Sequence, residues 1–210
     1  MKLYDFALAP NPRRVRIFLA EKGIEPEVEQ VAIREGAQFE PAFLAINPNA
    51  TVPVLQLDDG TTIADSFAIC RYAEEIQPDP PLMGRTPFEK ATICYWQRRI
   101  ELEGFQAVAE ILRNSAERFR DHALPGPLPV AQIPDLVTRG RDRLPAFFEM
   151  LDTRLSESAF VAGADYSAAD IDALVAVDFA ANAAQERPPE RFSALKAWHG
   201  RVSARPSAGA

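Results

Sequence analysis

The length, composition and charge of the chain are those of a globular protein, and they exclude several classes of partner. Its 210 residues are enough for one large or two small domains, and 47% are hydrophobic while 25% are charged. The net charge of −7 argues against nucleic acids or anionic membranes as general partners, because those partners need a basic face. No apolar run approaches the roughly 20 residues of a membrane span. Asp5 interrupts the apolar start, which excludes a signal peptide, so we expect a cytoplasmic protein.

Cysteine and histidine are too few and too scattered for a disulfide framework or a metal site. Cys70 and Cys94 form no close motif, and the simplest interpretation is two buried free thiols in a reducing compartment. The only histidines are His122 and His199, which argues against zinc. We therefore expect no metal.

The first 46 residues alternate strand and helix signals. Lys2 to Phe6 reads as a short strand. Asn11-Pro12 predicts a helix start, because asparagine is a good N-cap and proline suits the first helical position. This helix is expected to end at Lys22-Gly23. A second strand is predicted from Glu27 to Ile33, and a short helix follows it.

The stretch from Asn47 to Ser66 predicts a strand, a tight turn, a second strand and a helix start. The first strand opens at Val52-Pro53, where proline fits because it donates no hydrogen bond to a sheet ladder. Asp59-Gly60 is a strong signal for a two-residue hairpin turn. Asp65-Ser66 supplies cap-type residues ahead of an apolar helix.

The second half of the chain carries helix signals only. It follows a proline-rich linker at Gln77–Pro81. Thr86 and Glu89 form a capping box at the start of a long helix that should reach about Arg113. Gly104, inside this helix, should permit a bend or a close approach.

A proline-rich connector from Asp121 to Pro134 leads to another helix. Pro145 should kink or split that helix, because it removes a backbone hydrogen bond. Ser167 and Asp170 form a second capping box. A last helix is predicted to end near Arg205. Residues 86–205 are therefore predicted to form an all-α domain.

The combination of these motifs resembles the glutathione transferase family. The resemblance rests on the series Asn47-Pro48, Val52-Pro53-Val54-Leu55 and Asp65-Ser66, and on the capping box of Ser167 and Asp170 in the second half. It covers essentially the whole chain. It implies an α/β thioredoxin-like N-terminal domain over residues 1–80, an all-α C-terminal domain over residues 86–205, and a cis bond between Val52 and Pro53. It also implies glutathione as co-substrate and a homodimer.

The resemblance also implies where glutathione is held. Ser66 and the helix start behind it suit the γ-glutamyl carboxylate, and Asp65 suits the γ-glutamyl amino group. The backbone of Val52, next to Pro53, is expected to pair with the cysteinyl unit like an added strand. Gln38 and Thr51 are candidates for the glycyl end. The electrophile is expected beside four further residues, which are Leu8, Glu103, Gly104 and Ala107.

The group that holds the thiolate departs from the common family pattern. The position of the usual serine falls on Ala9, and no cysteine is near. We therefore assign the catalytic role to Asn11, whose amide is expected to donate to sulfur at the amino end of the first helix. The alternative is that Asn11 is a helix cap and nothing more. Tyr4 lies roughly where some classes carry a tyrosine, and we assign it to the core.

Three functions are compatible with the sequence. The first is a glutathione transferase that adds the thiolate to small apolar electrophiles. The second is a glutathione-dependent disulfide reductase or peroxidase. The third is a non-catalytic binding module, which the alanine at position 9 favours. Arg13, Arg14 and Arg16 on the first helix are interpreted mainly as a solvated face, with an anionic ligand nearby as the second interpretation.

Overall fold

The computed structural model describes residues 1–210, which fall into two compact units. The first unit comprises Met1–Pro80 together with Leu124–Pro129 and Ala210. The second comprises Pro81–Ala123 and Val130–Gly209. Leu124–Pro129 lies in the predicted connector, and nothing in its sequence indicates that it groups with the first unit.

The first unit is built on a four-stranded mixed sheet. Its strands are β1 (Lys2–Asp5), β2 (Glu27–Gln30), β3 (Val54–Gln56) and β4 (Thr62–Ala64), in the spatial order β2-β1-β3-β4. The pair β1 and β2 is parallel, and the other two pairs are antiparallel. Its helices are α1 (Pro10–Lys22), α2 (Pro41–Leu44) and α3 (Ser66–Ile76), and α1 packs against α3. The predicted thioredoxin-like fold is confirmed.

Two predicted boundaries in this unit are wrong. Helix α1 begins at Pro10, two residues before the predicted first helical residue Pro12, and Ala9 is its N-cap residue without a side-chain cap. Asn11 therefore lies inside the first turn and does not cap the helix. Proline at position 10 is tolerated because the first helical N–H groups have no intrahelical acceptor. Strand β2 ends at Gln30 because the chain turns into a 3-10 helix at Ile33–Glu35.

The hairpin and the helix start form where predicted, but the turn has three residues and not two. Leu57 donates to the Thr61 carbonyl at 2.8 Å, so Asp58, Asp59 and Gly60 form the loop. Gly60 has a φ of 87°, which suits glycine in the turn, and the Asp59 carboxylate accepts from the Thr61 N–H at 2.9 Å. Asp65 caps α3, since its Oδ1 accepts from the N–H groups of Phe67 at 2.8 Å and Ala68 at 3.2 Å. The bond between Val52 and Pro53 is cis, as the resemblance implies.

The second unit is all helical. It contains α4 (Pro87–Ile100), α5 (Gln106–Ser115), α6 (Pro134–Glu157), α7 (Ala168–Phe179) and α8 (Ser193–Ser203). The capping box of Thr86 and Glu89 is confirmed. A π-helical turn at Glu101–Phe105 joins α4 to α5. A Cβ on Gly104 would lie 2.6 Å from the Phe147 ring, so this glycine permits the close approach of α6. No helix is long and apolar enough to cross a membrane.

Helix α6 passes through Pro145 without a break, so the predicted split does not occur. Leu144, Phe147, Phe148 and Leu151 are almost fully buried around the proline, and α5 and α6 form the most extensive helix pair of the unit. The apolar area that these side chains bury outweighs the one backbone hydrogen bond that proline removes.

Asp170 at the start of α7 is the polar centre of the second unit. Its side chain is fully buried. Oδ1 accepts from the Val161 N–H and the Trp198 indole N–H, each at 2.9 Å, and Oδ2 accepts from the Ser167 N–H at 3.1 Å and its hydroxyl at 3.2 Å. Burial raises the pKa of this carboxyl to about 6, although these donors act in the opposite direction. The carboxylate therefore ties a loop, α7 and α8 together.

Candidate functional site

A cavity of about 290 Å³ lies in the first unit, where two helices begin beside the entrance to β3. It is bounded by the first turn of α1, the loop before β3, the end of β4 and the start of α3. The residues that line it are Asn11, Asn49, Thr51, Val52, Pro53, Ala64, Asp65 and Ser66. Six of these belong to the predicted ligand site. The other two are Asn49, which lies in the loop before β3, and Ala64, which ends β4.

The cavity contains an unused strand edge at Val52. This residue is half-buried, and its N–H and carbonyl take part in none of the backbone hydrogen bonds of the sheet or of the loops. Unpaired backbone groups in an extended segment accept a further strand of peptide by forming ladder hydrogen bonds with it. An extended peptide of a few residues therefore fits this wall of the cavity.

The start of α3 forms a second wall, which offers hydrogen-bond donors for an anionic group and a carboxylate for a cationic group. The Ser66 hydroxyl is in a buried residue, and the Ser66 N–H has no acceptor in the protein, as expected at the first position of a helix. A helix amino terminus favours an anionic group. Asp65 is exposed and uses Oδ1 for both capping bonds, which leaves Oδ2 for a cationic group. An ammonium and a carboxylate on neighbouring atoms of one ligand match this pair.

Arg14 is the residue of this site that the sequence analysis missed. It is 7% exposed, and its Nη1 donates to the Asn11 Oδ1 and to the Ser66 Oγ, each at 3.3 Å. It therefore connects the first turn of α1 with the start of α3. The signal available in the sequence is its spacing of three from Asn11, which places the two side chains on one face of the helix.

The two candidates for the thiolate, Asn11 and Tyr4, lie in different surroundings. Asn11 lines the cavity and is exposed. Tyr4 is 6% exposed, its hydroxyl donates to the Gln56 Oε1 at 3.2 Å, and its ring packs edge-on against Phe43. Tyr4 is absent from the cavity lining, which agrees with its assignment to the core.

A buried polar network fixes the loop between β1 and α1. Asp5 is 1% exposed and accepts from the Arg16 Nη1 at 2.6 Å and from the Gln30 Nε2. Gln30 in turn accepts from the Ala7 N–H at 2.9 Å, and Arg16 donates to the Ala7 carbonyl at 3.1 Å. This network accounts for Arg16, which is not part of a solvated face. It holds the loop that carries Leu8 and Ala9.

The remaining predicted site residues do not line the cavity, and each lies in a different environment. Gln38 is buried outside the cavity lining, and its Oε1 has no hydrogen-bond partner in the protein. Leu8 is 68% exposed. In the second unit, Gly104 and Ala107 are buried by helix packing, and Glu103 pairs with Arg99 at 2.8 Å. The glycyl-end and electrophile assignments stay predictions.

Neither cysteine is part of a disulfide, and only one of the two is buried. Cys70 is 7% exposed on α3, whereas Cys94 is exposed on α4. The prediction that Cys94 is a core residue is therefore wrong. Its neighbours Ile93 and Trp96 take the buried face of the helix, which turns position 94 outward.

Family models match both units of the chain. Residues 9–76 match the N-terminal domain of glutathione S-transferases, and residues 134–201 match the C-terminal domain. The first match includes α1, the loop before β3, β4 and α3, which together bound the cavity. The second includes α6, the Asp170 capping box and most of α8.

Some relatives are similar over the whole length of the chain and others over part of it. Glutathione S-transferase 2 of Saccharomyces cerevisiae is 39% identical over 212 residues, covering 99% of this chain and 87% of that protein. A maleylacetoacetate isomerase of Pseudomonas aeruginosa is 42% identical, but over only 43% of this chain and 44% of its own. The crystal structure of a glutathione S-transferase domain-containing protein of Marinobacter aquaeolei superimposes with a TM-score of 0.89 at 37% identity, covering 99% of both chains. The chain belongs to the glutathione S-transferase family.

Proposed function

We propose that this protein is a glutathione transferase that conjugates the glutathione thiolate to small apolar electrophiles. The observation that carries the proposal is the cavity of the first unit, which combines the unpaired strand edge of Val52, the pair Asp65 and Ser66, and the amide of Asn11. This combination matches the extended backbone, the ammonium–carboxylate end and the thiol of one glutathione molecule.

Each part of glutathione has a proposed partner. The γ-glutamyl carboxylate accepts from the Ser66 hydroxyl and from the amino end of α3, and the γ-glutamyl ammonium pairs with Asp65. The cysteinyl unit bonds to the backbone of Val52 beside Pro53. Thr51, which lines the cavity, is the proposed partner of the glycyl end, for which Gln38 is the second candidate. Leu8 and Glu103, together with Gly104 and Ala107, remain the proposed electrophile residues.

The chemistry requires the thiol to be ionised at neutral pH. A free thiol has a pKa of about 8.5 and is mostly protonated at pH 7. The amino end of α1 favours the thiolate through its dipole and the backbone N–H of Asn11, since Pro10 and Pro12 have no N–H. The Asn11 side-chain amide adds a donor without negative charge. The thiol proton is released to water, and the sulfur then forms a bond to the electrophilic carbon of the second substrate. In a substitution the bond from this carbon to its leaving group breaks, and the leaving group departs with the electron pair, as chloride does from a chloronitroarene.

Asn11→Ala is expected to raise the pKa of bound glutathione. A helix end supplies up to ~2 kcal/mol in a partly buried site, and one pKa unit corresponds to about 1.4 kcal/mol. The helix end and the amide together therefore lower the thiol pKa by roughly one to two units. Loss of the amide raises the thiol pKa by part of that amount. Asn11→Asp is expected to raise the pKa further, because a carboxylate would face the thiolate. Titration of the thiolate absorbance of bound glutathione measures the thiol pKa of each variant.

Tyr4→Phe is the matched control for the Asn11 variants. Its hydroxyl bonds to Gln56 outside the cavity lining, so the thiol pKa should stay at the native value. A raised pKa in Tyr4→Phe together with a native pKa in Asn11→Ala would make Tyr4 the activating group and overturn the assignment.

The double variant Cys70→Ala/Cys94→Ala is expected to keep most of the native turnover. Neither cysteine lines the cavity, and Cys70 behaves as a small core residue. Steady-state assays with a chloronitroarene test this expectation. Loss of turnover with intact glutathione affinity would instead indicate a covalent mechanism on a protein thiol.

Two parallel assays separate the proposed activity from its alternatives. Turnover of a chloronitroarene supports conjugation, whereas turnover of a glutathionyl disulfide alone supports a reductase. Glutathione binding without either activity supports a binding module. A homodimer and a cytoplasmic location belong to the same proposal, and sedimentation analysis of the purified protein tests the dimer.

A further inference from the structure

The Arg14 guanidinium is placed to control two proposed ligand contacts at once. Its Nη1 carries two hydrogens and lies 3.3 Å from the Asn11 Oδ1 and 3.3 Å from the Ser66 Oγ. Both acceptors line the cavity, while Arg14 itself is buried beneath them and does not line it. The arginine therefore contacts two residues of the cavity lining from outside the cavity.

The chemistry of arginine fixes how each side chain is oriented. A guanidinium has donors and no acceptor, so the Asn11 atom that faces it is the amide oxygen. The Asn11 NH₂ group, with two donors, is then the part left for the cavity. The Ser66 oxygen likewise receives a hydrogen from Arg14, which leaves its own hydroxyl hydrogen free to be donated elsewhere.

We infer that Arg14 is a positioning residue that orients Asn11 and Ser66 so that both donate hydrogen bonds to glutathione. Asn11 then donates to the sulfur, and Ser66 donates to the γ-glutamyl carboxylate. Chains of hydrogen bonds also polarise their members, so a cationic donor behind each side chain strengthens the donor in front. The inference rests on the proposed function and adds a residue that the sequence assigned to no ligand contact.

The two contacts, at the γ-glutamyl carboxylate and at the sulfur, are tested with two ligands. S-methylglutathione has no ionisable thiol, so its affinity reports the contact to the γ-glutamyl carboxylate. The thiol pKa of bound glutathione reports the contact to the sulfur. Arg14→Met is expected to weaken S-methylglutathione roughly tenfold and to raise the bound-thiol pKa by roughly one unit. Arg13→Met, which removes one positive charge from the same helix at a residue that does not line the cavity, is expected to change neither value appreciably.

Double-variant cycles distinguish positioning from general destabilisation. If Arg14 acts through Asn11, adding Arg14→Met to Asn11→Ala should raise the thiol pKa by much less than it does in the native protein. Adding it to Ser66→Ala should likewise weaken S-methylglutathione much less. Additive effects in both cycles would overturn the inference.

Arg14→Lys covers the case in which Arg14→Met fails to fold. Lysine keeps the charge but not the planar fork that spans two acceptors, so it should lose a large part of at least one effect. Native values for both readouts in Arg14→Lys or in folded Arg14→Met, combined with a raised thiol pKa in Asn11→Ala, would reject the role of Arg14 and leave the proposed function intact. No binding of either ligand to the native protein would reject both.

Discussion

Asp170→Ala is expected to lower the free energy of unfolding by roughly 3–5 kcal/mol, the range for breaking a buried, charged hydrogen-bond network. The variant leaves the N–H groups of Val161 and Ser167 and the indole N–H of Trp198 buried without their acceptor. Each unsatisfied buried donor costs about 1–3 kcal/mol, and these costs overlap because the groups share one site. Denaturant unfolding monitored by circular dichroism measures the change.

Asp165→Ala is the control for that measurement. Asp165 is exposed and precedes the same helix, so its loss should change the free energy of unfolding by no more than about 0.5 kcal/mol. Equal stabilities of the native protein and Asp170→Ala would show that Asp170 does not tie α7 and α8 together.

Ser66→Ala is expected to weaken glutathione binding by roughly tenfold or more. A charge-assisted hydrogen bond is worth about 1.5–3 kcal/mol, and about 1.4 kcal/mol is a factor of ten in affinity. The variant also removes the acceptor of one Arg14 hydrogen inside a buried residue pair. Isothermal titration calorimetry gives the dissociation constants.

Thr62→Ala serves as the matched control for Ser66→Ala. Thr62 is an exposed β4 residue of the same unit that does not line the cavity, so its affinity for glutathione should equal the native value. Native affinity in Ser66→Ala would remove Ser66 from the binding site.

The features that the sequence predicted correctly depend on neighbours along the chain. Asp65 caps α3 through the N–H groups two and three residues ahead, and Thr86 caps α4 in the same local way. The turn at Gly60 needs only a positive φ. Short-range signals of this kind specify their structure regardless of the remainder of the fold.

The features that the sequence did not predict depend on distant partners. The sequence gives no reason to distinguish between Arg13, Arg14 and Arg16. In the structure Arg14 donates to Ser66, whereas Arg16 donates to Asp5. Pro145 carries a clear break signal, which the packing of α5 against α6 overrides. The start of α1 is ambiguous in the sequence because Pro10 and Pro12 both suit a first turn, and this ambiguity placed Asn11 at the cap.

A crystal structure with bound glutathione tests the central proposal most directly. The account predicts glutathione in the 290 Å³ cavity, with its cysteinyl backbone paired to Val52, its γ-glutamyl end at Asp65 and Ser66, and its sulfur within hydrogen-bonding distance of the Asn11 amide nitrogen. Glutathione bound elsewhere, or in the cavity with its sulfur directed to the Tyr4 hydroxyl, would contradict it.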